Sequence, residues 1–140
     1  MNIRSNAASR SVEFDKEPII RMSNTFIEPG DYDITELLSD IKKGVYIKNF
    51  MEWNIDDRRE NQRYVGFEAY LIKNGELDIN VKSPVLELTS KKFWSSVDAR
   101  SKNLDFKAAN CGKGEPMQGA PVWTGAPDVR LRNIRIGNRS

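Results

Sequence analysis

Tyr64-Val65-Gly66-Phe67-Glu68-Ala69-Tyr70-Leu71-Ile72-Lys73-Asn74-Gly75-Glu76-Leu77-Asp78-Ile79-Asn80-Val81-Lys82 holds two strand patterns with a turn signal between them. Residues 64–72 carry apolar side chains at both odd and even positions, the pattern of a strand covered on both faces. Asn74-Gly75 follows, a pair that accepts the positive φ values of a type I′ hairpin turn. The chain then returns with Leu77, Ile79 and Val81 on one side and Glu76, Asp78, Asn80 and Lys82 on the other, so this strand is predicted to have one wet face. A β-hairpin is the nucleus of the reading.

Working upstream, Val45–Phe50 is β-branched and aromatic and predicts a strand, and the polar stretch 54–63 predicts a loop or an exposed hairpin end. Before these, Ile34, Leu37, Leu38 and Ile41 recur at helical spacing and place four aliphatic side chains on one face. Asp33 and Glu36 form a capping-box pattern at the start, and Gly44 suits the left-handed position after the end. Ordered structure is expected from Pro18, with an extended segment through Ile19, Ile20, Met22, Phe26 and Ile27 that stops at Pro29-Gly30. Residues 1–17 are polar and without period, and read as a flexible N-terminal arm or linker; 18–140 read as one domain.

Downstream, Pro84–Leu88 reads as a short strand, and Ser90 as the cap of a brief second helix through Phe93, Trp94 and Val97. The stretch 110–127 is dense in Gly and Pro and predicts a long irregular loop. Val129 and Leu131 share one parity and Ile134 and Ile136 the other, which a bulge near Asn133 would reconcile. The expected fold class is mainly β (α+β): an antiparallel, sandwich-like domain with one amphipathic helix and a second short one.

Composition bounds what such a domain can do. The chain has 140 residues, 39% hydrophobic and 30% charged, which is globular composition and enough length for one core. With 22 basic and 20 acidic side chains the formal charge is +2, and the basic pairs are scattered, so nucleic acid is not an expected partner. No apolar run approaches the ~20 residues a membrane span requires, and no signal-peptide pattern opens the chain; a soluble, cytoplasmic protein is expected. Cys111 is the single cysteine. There is no histidine, which excludes Ser-His-Asp and Cys-His catalysis and any histidine-bearing zinc site built from this chain alone.

The residues with chemical interest are few. Cys111 lies in Asn110-Cys111-Gly112-Lys113, ahead of Gly119-Ala120-Pro121 and Gly125-Ala126-Pro127. It reads as a small buried apolar residue, as a thiolate favoured by Lys113 and able to bind metal or attack, or as an incidental exposed thiol. Glu68 sits in an apolar strand, where a carboxylate requires a partner: either an arginine such as Arg21 or Arg63, or a ligand channel that it lines. Arg21 and Asn24 could clamp a backbone or a turn. Trp53, Trp94 and Trp123 read as core or interface anchors, and Arg130, Arg132 and Arg135 as a solvated or interface face.

In order, Arg21-Met22-Ser23-Asn24-Thr25, Glu28-Pro29-Gly30, Gly44-Val45-Tyr46, Glu68–Gly75 and Asn110–Lys113 with its trailing Gly-Ala-Pro resemble the C-terminal domain of the TldD/PmbA family, also called modulators of DNA gyrase. The resemblance runs from Arg21 to Gly137. It implies part of a zinc peptidase acting on short or unfolded peptides, in which a HExxxH helix of another domain supplies two histidine ligands and a glutamate base. The cysteine of the Cys-Gly-Lys loop, here Cys111, is then the ligand given by this domain. Glu68, Gly112, Lys113, Arg21 and Asn24 become candidates for the wall of the peptide cavity. The family forms dimers around a cavity, often a TldD-type subunit with a PmbA-type subunit that lacks the metal motif, and Cys111 favours the TldD type. Because this sequence has no HExxxH, zinc is expected only together with the missing domain or subunit, and the chain alone is expected to be inactive. The alternative is a non-catalytic binding or oligomerisation module that uses the arginine-rich last strand and exposed tryptophans.

Overall fold

The structure is a computed structural model and describes residues 4–139. In chain order its elements begin with β1 (Ser9–Arg10), β2 (Ile19–Ile20), β3 (Thr25–Phe26), helix α1 (Ile34–Ser39), β4 (Lys43–Ile55) and β5 (Asn61–Lys73). They continue with β6 (Glu76–Asn80), β7 (Pro84–Thr89), helix α2 (Ser90–Ser96), β8 (Val97–Arg100), β9 (Asp105–Lys113), β10 (Gln118–Ala126), β11 (Val129–Leu131) and β12 (Ile136–Asn138). The fold is mainly β with two short helices, and its strand pairs are antiparallel apart from β3 with β10 and a Tyr32–Ser101 bridge. The chain forms two compact units: the residues through Pro29 with Leu104–Pro127, and Gly30–Asn103 with Asp128 onward.

In the second unit, β5 is the spine. It pairs with β4 along its whole length on one side, and on the other with β7 over Asn61–Val65 and with β6 near Tyr70–Lys73. The expected hairpin turn is present: Lys73 faces Glu76, and both Asn74 and Gly75 have positive φ, 51° and 85°. Gly75 is also required sterically, because a Cβ there would lie 2.8 Å from the Ser39 carbonyl oxygen. The turn in turn docks on the corner after α1, where Asn74 and Gly75 donate their N–H groups to Lys42 O and Ile41 O. The polar stretch 54–63 is the far end of the β4–β5 hairpin, closed by the Asp56 carboxylate, which accepts from the Glu60 N–H at 2.8 Å and from Asn61 Nδ2 at 2.6 Å. Leu37, Leu38, Val65, Ala69, Ile72, Val85, Leu88 and Ala99 form the buried aliphatic interior.

Several local expectations give way to tertiary context. α1 ends at Ser39, with Asp40 as its C-cap, and Gly44 is the second residue of β4, so the long strand begins where a helix cap was expected. The Asp33–Glu36 cap itself is there, the Asp33 N–H donating to the Glu36 carboxylate at 2.7 Å. α2 is capped by Thr89 rather than Ser90, its Oγ1 accepting from the Lys92 N–H at 3.1 Å. β5 is not covered on both faces throughout, since Phe67 is 68% exposed, and β6 is exposed on both sides, with Ile79 65% exposed. The slip after Leu131 is not one bulged strand: β11 pairs with β8, β12 pairs with β7, and Asn133 turns between them at φ 56°.

The largest difference lies in the first unit. The stretch 110–127, expected as irregular loop, belongs to a nine-pair antiparallel ladder in which Asp105–Lys113 faces Gln118–Ala126. Glycine and proline concealed the strand, yet both fit: among the described residues no strand pairs with β10 beside Pro121 on its other side, since β3 reaches only Thr124 and Gly125. The period-2 signal is in fact present, with Gln118, Ala120 and Val122 buried and Gly119, Pro121 and Trp123 between them exposed. Within 1–17, Ser9 and Arg10 form the two-residue ladder with Ile20 and Ile19.

Candidate functional site

Cys111 stands near the end of β9, opposite Ala120 on β10, with Gly112 facing Gly119 and Lys113 facing Gln118. It is half-buried and forms no disulfide. Strand structure rather than loop therefore sets its backbone, and alternation along β9 puts Cys111 and Lys113 on one side of the ladder with Gly112 between them.

The segment 17–24 is bonded to this hairpin by side chains. Arg21 is 2% exposed; its Nη2 donates to the backbone carbonyl of Cys111 and, at 2.9 Å, to that of Gln118. Lys113 Nζ donates to Ile20 O at 2.8 Å, so the ammonium that could have favoured a thiolate is engaged by a backbone carbonyl. Gln118 is buried and its Nε2 donates to Glu17 O at 3.1 Å. Farther along, Asn24 Oδ1 accepts the Trp123 N–H at 2.9 Å, just before β3 joins β10, and the Phe26 and Phe106 rings meet with centroids 5.8 Å apart. Arg21, Asn24, Cys111, Gly112 and Lys113 thus share one unit. Gln118 is the participant that sequence reading missed, because it lay in the supposed loop; the buried parity of 118, 120 and 122 was the available signal.

Glu68 belongs to the other unit. Its partner is neither Arg21 nor Arg63 but Lys48, whose Nζ lies 2.9 Å away, and the Tyr70 hydroxyl donates to the same oxygen at 2.9 Å. Asn49 Nδ2 adds a longer bond at 3.4 Å to the second oxygen. Lys48 first, then the Tyr70 hydroxyl, hold the Glu68 carboxyl below its ordinary range, so it is an ionised, three-partner carboxylate on a part-exposed sheet face. Arg63 is occupied elsewhere: it pairs with Glu52 at 2.9 Å, and Arg139 approaches the same carboxylate at 3.4 Å. These groups, with Glu87 and Arg135, border an open cleft of about 430 Å³ on the sheet. Trp53, Trp94 and Trp123 are all more than half exposed. Arg130 and Arg132, read as a solvated or interface face, instead grip Asp98 and Asp40 at 2.5–2.9 Å.

Among the described residues no three His, Cys, Asp or Glu side chains come together, and no helix is long and apolar enough to cross a membrane. A metal at Cys111 would have one ligand from this chain. The half-buried thiol sits on backbone whose carbonyl accepts from the buried Arg21, and a soft sulfur donor is one that zinc takes from cysteine.

Comparison with known proteins completes the picture. Residues 1–138 match the family described as PmbA/TldA metallopeptidase C-terminal domain. The chain is 39% identical over 114 residues to a metalloprotease of Methanocaldococcus jannaschii, covering 81% of this chain and 25% of that protein. It is 23% identical over 130 residues to a zinc metalloprotease TldD homolog of Saccharolobus solfataricus, covering 92% of this chain and 28% of that one. Among solved structures, TldE from Thermococcus kodakarensis superposes with a TM-score of 0.72 over 96% of this chain and 28% of its own, at 14% identity, a likeness of fold. The chain spans about a quarter of the length of these relatives.

Proposed function

Because the chain belongs to the PmbA/TldA metallopeptidase C-terminal domain family, we propose that it gives a TldD-type zinc peptidase one metal ligand, the thiolate of Cys111, and part of the peptide-binding wall. The single observation that carries this is the placement of Cys111: half-buried, on a strand whose Cys111 carbonyl accepts from Arg21 and whose Lys113 side chain donates to the Ile20 carbonyl. Two histidines and a general-base glutamate would come from a HExxxH segment outside these 140 residues, and the chain alone would be inactive. The chemistry that a zinc so held supplies when bound is polarisation of a scissile carbonyl and acidification of a water. The role of this chain is to hold and to orient.

β9 suits the substrate side of that role. It is the outer strand of its three-stranded sheet, with β10 on one edge and no strand on the other among the described residues. An extended peptide can add to such an edge through main-chain hydrogen bonds, with Gly112 and Lys113 beside it. That favours short or unfolded peptides over folded proteins, since only an extended backbone can pair. Gly112, Lys113, Arg21 and Asn24 would then belong to or support this wall. A dimer with a like or PmbA-type subunit and a cytoplasmic location complete the proposal. The family match gives the peptidase reading a support that the non-catalytic module lacks.

Supplying the HExxxH domain of a TldD-type relative in trans should restore zinc binding and peptide cleavage, and Cys111→Ser should abolish both. Retention of full zinc content and activity by the Cys111→Ser complex would remove Cys111 from the ligand set.

A further inference from the structure

A guanidinium that is 2% exposed has lost its hydration, and its neighbours must compensate it. The partners of Arg21 are backbone carbonyls, not carboxylates, and both are taken by Nη2, while Nε and Nη1 are buried without a protein hydrogen-bond partner. Filling this space alone would be done more cheaply by an aliphatic side chain, because a buried charge is often replaceable by hydrocarbon without loss of stability. What hydrocarbon cannot do is bridge two carbonyls.

The two carbonyls lie on opposite strands of one hairpin, Cys111 on β9 and Gln118 on β10, two ladder steps apart, since Cys111 faces Ala120 and Gln118 faces Lys113. One amino group therefore ties the strands together at the end where Cys111 stands. The backbone of Arg21 is anchored in its turn, its N–H donating to Ala8 O at 2.8 Å. Lys113 to Ile20 O and Gln118 to Glu17 O close the same clasp from the hairpin side.

We infer that Arg21 is the positioning residue of Cys111: it fixes the backbone on which the thiol is carried, and so the direction in which Sγ is presented. Its meaning for zinc rests on the reading of Cys111 as a ligand; the geometric statement does not. A metal ligand must be held within a few tenths of an ångström of its productive place, and a hairpin end left to fray does not do this.

Cys111 is the only cysteine, so a nitroxide attached to it reports one place. In the otherwise unaltered chain its spectrum should be that of a restricted side chain. Arg21→Met should give a dominant mobile component, with a correlation time shortened several-fold, at temperatures well below the melting point measured for the same sample. Arg21→Lys should recover part of the restriction, since one ammonium can reach a carbonyl but cannot reproduce the planar guanidinium bridge. Lys113→Met, at an exposed position, should loosen the label to a smaller degree, and it decides the matter together with Arg21→Lys should Arg21→Met fail to fold. A label as restricted in Arg21→Met as in the parent chain, or in both Arg21→Lys and Lys113→Met should Arg21→Met fail to fold, would show that Arg21 merely fills space and would overturn the inference. No metal takes part in this measurement, so its outcome is independent of the Cys111→Ser test in the reassembled enzyme.

Discussion

Leu37, Leu38, Val65, Ile72 and Leu88 fill the interior of the Gly30–Asn103 unit, whereas the buried positions of the hairpin unit include only the small Ala120, Val122 and Pro127 beside Arg21 and Gln118 among the described residues. The first interior is held by area removed from water, which is non-directional and tolerates adjustment. The second buries little aliphatic surface and relies on hydrogen bonds between side chains and backbone, each directional and each modest in net stability. Packing of the first kind gives a stable scaffold. Bonding of the second kind gives a fixed geometry, and it is found where the one candidate ligand stands.

This comparison can be tested where its expected effects are largest. Leu37 is 3% exposed, and Leu37→Ala should cost about 3 kcal/mol, the range for emptying a buried leucine site. Hydrogen exchange should show the loss in β5 and β7 while the β9–β10 ladder keeps its protection. Equal loss in both would mean that the two units unfold as one, and the contrast drawn above would fail.

A smaller effect sharpens the account of the aliphatic unit at its polar margin. The Tyr46 hydroxyl donates to Asp128 at 3.0 Å, and burial, followed by the charge of Asp128, pushes its pKa up to about 12. The folded value lies above the ordinary 10.0, so this contribution is complete below pH 10 and is lost as pH rises towards 12. Tyr46→Phe should cost about 1 kcal/mol at neutral pH and should flatten part of the alkaline decline in the urea midpoint.

The smallest effect concerns acid. Arg130 first, then Arg132, hold the Asp98 carboxyl below its ordinary 3.8, against an opposing cost of burial. Lys48 and Tyr70 lower Glu68 from 4.5 in the same way. Both contributions are present above about these ordinary values and are lost as pH falls through the depressed folded ones. Thermal melts between pH 5 and pH 2 should show Asp98→Asn losing less stability than the parent chain, by a margin below that of Tyr46→Phe, because exposed pairs are weak.

What could be read from the amino acids follows from the range of the signals. The start of α1 and the Asn74-Gly75 turn are specified by residues within a few positions of one another, and both form as expected. The end of α1 was misjudged because β4 is drawn into its ladder with β5 from Lys43, and pairing across the sheet outweighs a cap. The β9–β10 ladder was hidden because glycine and proline carry loop propensity, while its burial alternation rests on small side chains. Cys111 was singled out as a candidate ligand through the family resemblance, not by anything in its local sequence. The clasp around it was not legible, since Arg21 and Cys111 are 90 positions apart and nothing local marks them as partners.

The side of β9 that pairs with no strand among the described residues carries one more implication, for how the molecule survives at high concentration. A backbone edge that can receive an extended peptide will equally receive a neighbour's strand, and repeated additions of that kind lead to fibrils. Asp105, Lys107 and Lys113 stand along this strand. Their charges penalise the stacking of identical strands in register, where each would meet its own like, and on the proposed function they would leave a peptide of different sequence free to pair. Selectivity against self and openness to foreign backbone would then reside in the same three side chains.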